Sequence, residues 1–405
     1  MLKYRVLAAV RRLCLFEGLS VLLLFCLPFL GVLPSPTVVL TAGAFLVEIL
    51  WGIRALTEDG NPRFGLPDAA VLPVALSMLF SGFFGAGGGS GLLHALSSFV
   101  LVLFWFPMRS LFRREAWKKR ALLALKSAAL ISAVWGIAEY VSGRAELRWV
   151  DFSRFSDIGG RVCGPFENPN IFAVFLVAVT PLFLQGTPEA GSRLLRVGNL
   201  LSLGACLLCI VFTWSRGAWL AILAALICFF VFYSGRTRRW FLWGAIPVGI
   251  AACFLPHSVT NRFLSIGSLS ESSINYRFLT WRGVLAMIRA HPWGIGAGND
   301  AFATVFPTYA VKGTERTAHA HALFLQILIE QGVPGLLIFL FFLIALVISF
   351  TRTLRSTRAG RGTVIAAFCG IIGVLTMGLF DYVWYHRGML FLFFALAATV
   401  PLREE

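Results

Sequence analysis

His319 and His321 stand two residues apart in ERTAHAHALFLQILIEQGVPGLLIFL, immediately before an apolar helical stretch. Such a pair lets a loop present both imidazoles to one metal ion or to one reacting proton. A catalytic zinc takes at least three protein ligands, and no cysteine or carboxylate is well placed nearby, so no metal is expected here. A single imidazole at a water-filled cleft can instead act as general base toward a hydroxyl nucleophile. A hydrogen-bonded loop histidine is the reading without chemistry.

Arginines beside apolar runs point to an anion. Arg216, in FTWSRGAWL, lies at the junction of two apolar helices, where a buried charge costs several kcal/mol unless it is met. No acidic residue lies within a helical turn of it. Its partner is therefore distant in sequence or a bound anion such as phosphate, which a guanidinium grips in bidentate fashion; snorkelling to the interface is the alternative. In INYRFLTWRGVLAMIRAHPWGIGAGNDAF, residues Arg277, Trp281, Leu285 and Ile288 recur at helical spacing. The pattern predicts a short external helix that Arg277 opens and His291, Pro292 and the glycines 294, 296 and 298 close. GIGAG has no preceding strand or βαβ unit and is no dinucleotide fingerprint; it reads as a breaker and flexible loop. GGRVCGPFENPNIFAVF joins Arg161 to Asn168 and Asn170. Either asparagine can cap the following helix, and an ENPN turn facing a cleft can also hydrogen-bond sugar hydroxyls. Cys206 and Cys209 have redox or metal spacing, but their leucine-rich surroundings make them packing residues.

These groups need a scaffold. Of 405 residues, 58% are hydrophobic and 13% charged, against about 25% charged in a soluble domain. The apolar residues form runs of the kind that a bilayer about 30 Å thick requires. About twelve spans are expected, at Gly18–Leu33, Thr37–Ile53, Ala69–Ala86, Leu92–Pro107, Ala121–Tyr140, Ile171–Leu184, Val197–Trp214, Ala218–Tyr233, Phe241–Leu255, Val333–Phe350, Thr363–Val383 and Met389–Leu402. The fold class is an all-α integral membrane protein, a single polytopic domain over 1–405. Met1 to Arg12 is basic and leads into a long apolar run without a cleavage site, so the first helix is expected to stay as a signal anchor.

With the N-terminus inside, Lys and Arg gather in the inside connections, as in Arg109, Arg113, Arg114, Lys118, Lys119 and Arg120, which follows the positive-inside rule. Both termini are then cytoplasmic. Orientation accounts for most of the net charge of +16 without a nucleic-acid partner. Two long connections, 141–170 and 256–321, fall outside. They carry Arg144, Arg148, Arg154, Arg161, Arg262, Arg277, Arg282 and Arg289 against the rule, which suits an anionic partner or contact with lipid phosphate.

Taken together and in this order, RVCGPFENPN, TWSRGAW, YRFLTW with HPWGIGAG, and HAHALFLQILIEQGVPGLL resemble the O-antigen ligase and O-antigen polymerase superfamily of membrane glycosyltransferases. The resemblance covers about 161–337. It implies a GT-C-like membrane fold in the bacterial cytoplasmic membrane, with a long external loop before the tenth span. It also implies transfer of a glycan from an undecaprenyl-pyrophosphate donor to a hydroxyl of a glycan, lipid or protein acceptor on the external face, without a metal or other cofactor. Carried over by motif, Arg216 and Arg277 would hold the pyrophosphate and His321 would activate the acceptor. Arg161, Asn168, Asn170, Arg282 and His319 would line the substrate site. The common HxHN pattern has an asparagine where this chain has Ala322, which leaves His319 open as the base. The rival readings are a transporter or flippase of lipid-linked oligosaccharides, which needs no base, and a membrane scaffold without catalysis.

Overall fold

Proline and glycine divide the apolar runs into helices. The computed structural model describes residues 14–56, 64–149, 160–186, 191–233, 272–356 and 360–400. In chain order these hold α1 (Leu15–Cys26, continued by a 3-10 turn Leu27–Val32), α2 (Pro36–Ala55), α3 (Leu66–Phe83), α4 (Gly88–Leu103), α5 (Trp105–Phe112), α6 (Glu115–Val141) and α7 (Pro169–Gly186). There follow α8 (Arg193–Phe212), α9 (Arg216–Phe232), α10 (Ser272–Ala290), α11 (Asn299–Val305), α12 (Leu323–Ser356), α13 (Arg361–Gly378) and α14 (Arg387–Ala397). Among the described residues there is no strand, only an isolated antiparallel bridge between Glu146 and Arg161. Among the described residues eight helical stretches are long and apolar enough to cross a membrane, and three shorter apolar ones cover Pro169–Gln185, Arg216–Phe232 and Arg387–Ala397. The chain is an all-helical membrane protein. Each expected span but the ninth falls on one of these helices; the ninth, 241–255, lies outside the described residues.

Two helices meet within α12 at Gly332, whose backbone (φ 70, ψ −173) is not helical, so its second part begins at Val333, where the tenth span is expected, and a shorter part from Leu323 precedes it. Two expectations are corrected. Arg277 does not open its helix, because α10 already begins at Ser272. GIGAG is a packed crossing, not a flexible loop. The Ala86 N–H donates to the Ile295 carbonyl at 2.8 Å, Ala297 N–H to Ser81 at 3.1 Å, and Ile295 N–H to Ile329 at 2.8 Å. Backbone between helices thus has its polar groups met inside the protein, as a membrane protein requires.

At the centre stand α7 and α13, apolar and buried around most of their circumference, the pattern of helices enclosed by other helices. At one end of α13 four helix starts converge. Gly217 at the start of α9 packs on Met377 and Phe380, and Gly378 packs on Leu323 at the start of α12. Asn170 at the start of α7 donates to Asp381 at 2.8 Å, and α14 begins shortly after that carboxylate. Helix N-termini carry partial positive charge from unpaired N–H groups, so this end favours negative charge.

The glycine crossing gives a packing test. A Cβ on Gly296 would lie 2.2 Å from the Gly85 Cα, whereas one on Gly89 meets nothing within 4 Å. Overpacking of this kind costs about 1–3 kcal/mol. Gly296→Ala should therefore melt several degrees below the parent in detergent, and Gly89→Ala should melt with it.

Candidate functional site

The two histidines sit on the loop entering α12, and the residue between them is pinned on both sides. The Ala320 N–H donates to Gln326 Oε1 at 2.7 Å, and its carbonyl accepts from Trp281 Nε1 of α10 at 2.9 Å. His321 then takes a left-handed backbone, φ 49, a conformation that a residue with a Cβ holds only when its surroundings over-determine it. The result is that the rings of His319 and His321 lie 4.2 Å apart, centre to centre. Tyr385 stacks on His319 at 5.5 Å, and Tyr276 meets His321 edge-on at 6.1 Å.

Asp381, past the end of α13, completes the cluster. Its Oδ1 lies 3.6 Å from His321 Nδ1 and accepts from the Tyr382 N–H at 2.9 Å, while its Oδ2 takes the Asn170 amide. The carboxyl is buried. Burial alone would raise its pKa; the imidazole of His321 and the charges of Arg277, His321 and His319 overcome that and hold it below the ordinary carboxylate value. His319 moves the other way, pushed down to about 4 by burial first and then by the neighbouring His321 and Arg277. Arg277 thus acts on both groups from α10.

A second chain of bonds ties this cluster to the turn before α9. Arg161 donates through Nε to the Thr213 carbonyl at 2.7 Å and through a terminal nitrogen to Asn170 Oδ1 at 2.9 Å. Arg216, buried at the first position of α9, lies three residues beyond Thr213, and Gly217 beside it packs on Met377 and Phe380. Two partly buried imidazoles, a buried carboxylate, neighbouring arginines and converging helix starts thus meet at one end of the bundle. Residues 201–340 match the family model described as O-Antigen ligase. This segment belongs to the O-antigen ligase family. No curated protein matches the chain.

The ligase segment supplies Arg216, Arg277, His319 and His321, while Arg161, Asn170 and Asp381 come from outside it. Of the two asparagines, Asn168 is the cap: its Oδ1 accepts from the Asn170 N–H at 2.8 Å, and its carbonyl takes the Phe172 N–H at 3.0 Å, the first bond of α7. That leaves the Asn170 side chain to bridge Arg161 and Asp381. Arg282 is not brought to the cluster; it is exposed and lies about 140° around α10 from Arg277 at 3.6 residues per turn. Arg148 donates to the Glu167 carbonyl and pairs with Glu146. Arg154 and Arg262 lie outside the described residues. Ala322, where the HxHN pattern has an asparagine, is buried.

Asp381 corrects the expectation that no carboxylate attends the histidine pair. Its signal in the sequence was an acidic residue inside an apolar stretch, GLFDYVWYHRG, a type that in membrane segments marks function more often than lipid contact.

Gln326 is fully buried and passes the loop's hydrogen bond on to Glu330 at 3.0 Å. Gln326→Leu would strand the buried Ala320 N–H, a loss of about 1–3 kcal/mol. A lower melting temperature with loss of the His319–His321 geometry is expected, and Gln326→Glu should recover part of it.

Proposed function

We propose that this ligase-family protein is an inverting glycosyltransferase that moves a glycan from undecaprenyl pyrophosphate to an acceptor hydroxyl. The cluster end of the helix bundle faces the non-cytoplasmic side, with twelve spans and the connection 256–321 outside. The reading rests on one observation: the base, its carboxylate partner and an arginine that acts on both meet where four helix N-termini converge.

In this mechanism Arg277 and Arg216 hold the pyrophosphate, and the N-termini of α7, α9, α12 and α14 add to the field that favours its charge. The carboxylate of Asp381 keeps the His321 ring oriented with Nδ1 toward it, leaving Nε2 to face the acceptor. His321 takes the hydroxyl proton as the acceptor oxygen bonds to the anomeric carbon. The bond from that carbon to the phosphate oxygen breaks, and its electron pair leaves on undecaprenyl pyrophosphate. A single displacement inverts the anomeric centre. Arg161 and Asn170 hold Asp381 and the α9 turn in place. Charge neutralisation by arginine and helix termini leaves no step that needs a divalent ion. A polymerase and a ligase differ here only in whether the acceptor is another lipid-linked repeat or a different molecule.

A flippase needs the arginines but no base. His321→Ala should lower transfer by about 10²–10⁴-fold, the usual worth of a general base, while still binding donor, and Arg277→Ala should lower it by about 10²–10³-fold. Transfer by the parent should survive EDTA. Glycan synthesis unaffected by His321→Ala would refute the assignment of the base.

A further inference from the structure

His319, His321 and Asp381 each offer one ligand atom, and these atoms lie within 4.8 Å of one another. Two imidazoles and a carboxylate with a fourth position open is a donor set that zinc uses in catalytic sites. With zinc–ligand bonds of about 2.0–2.1 Å, tetrahedral ligand atoms stand about 3.3 Å apart, so small rotations about the side-chain torsions would close the set. His321 Nδ1 is buried and makes no hydrogen bond; its approach to Asp381, at 3.6 Å, is longer than one. The frame around the three groups is built. Ala320 is tied at both its backbone groups, Asn170 orients the carboxylate, and Tyr385 backs the His319 ring. Outer partners of this kind fix ligand orientation in metal sites.

We infer that His319, His321 and Asp381 form a binding site for Zn2+, and that the bound ion holds the glycosyl-transfer site off. The second half rests on the function proposed above: a zinc ion bonded to His321 occupies the imidazole that would take the acceptor proton, and it draws Asp381 from its orienting role. The metal-free protein is the active form. Zinc acts as a reversible inhibitor that enters the site when donor and acceptor are absent.

The test uses the full chain, purified in detergent and stripped with chelator, titrated with ZnCl2 in a calorimeter and with Co2+ in a spectrophotometer. One equivalent of Zn2+ should bind, and Co2+ should give the intense visible bands of a four-coordinate ion. His319→Gln and Asp381→Asn should each weaken zinc binding by about 10–100-fold or more and abolish the cobalt bands, with unchanged elution on size exclusion as evidence of folding. Absence of saturable binding, or equal binding by parent and both variants, would overturn the site. In the transfer assay, zinc should inhibit over the concentration range in which it binds, and EDTA should restore the rate. Full transfer with zinc bound would overturn the inhibitory role. A protein that binds zinc at this cluster but transfers no glycan, with or without EDTA, would support the site and refute the glycosyltransfer reading.

Discussion

A buried carboxylate is the constraint on which this end of the molecule depends. Asp381 lies almost wholly out of water, and an ionised group there is tolerated only when charge and hydrogen bonds replace its hydration. The replacements come from four separate stretches of chain: the Asn170 amide from α7, the Tyr382 N–H from the turn after α13, His321 from the loop into α12, and the charge of Arg277 from α10. Meeting that one charge draws together segments more than two hundred residues apart. The same contacts put an imidazole, a carboxylate and the charge of an arginine within one cluster.

Lipid imposes the second constraint. Irregular backbone at membrane depth survives only where protein satisfies it, and the irregular backbone of this chain is met in that way. The glycine crossing 293–298 bonds to Ser81, Ala86, Ile329 and Glu330. Gly332 bends α12 where a side chain on it would strike the Trp293 backbone. Helices that start at this end bring unpaired N–H groups and their partial positive charge to the same region.

Much of this was legible in the sequence because a bilayer enforces a simple code: long apolar runs, Lys and Arg between them, and lone charges that must have a reason. The helical spans within the described residues follow from that code, and it singles out Arg216 as a charge that must be met. Asp381 escaped it, since it lies sixty residues from His321 and within a run read as the eleventh span; only the ending of α13 at Gly378 frees it to turn toward the histidines. Asn168 and Asn170 are indistinguishable as capping residues until Asn168 is seen to close the first turn of α7. Arg277 and Arg282 look alike on a helical repeat, but their separation around α10 puts only the first beside the cluster. Ring orientation, which decides what His319 and His321 can do, depends on a left-handed residue and a glutamine in the next helix, and neither has a signature in local sequence.

In the proposed reaction this end of the bundle breaks a sugar–pyrophosphate bond and makes a glycosidic one. Purified protein supplied with an undecaprenyl-pyrophosphate-linked glycan and a hydroxyl acceptor should release one undecaprenyl pyrophosphate for each glycosidic bond formed, and the new linkage should have the opposite anomeric configuration to the donor by NMR. Retention of configuration, or donor carried intact across a bilayer with no pyrophosphate released, would contradict the account.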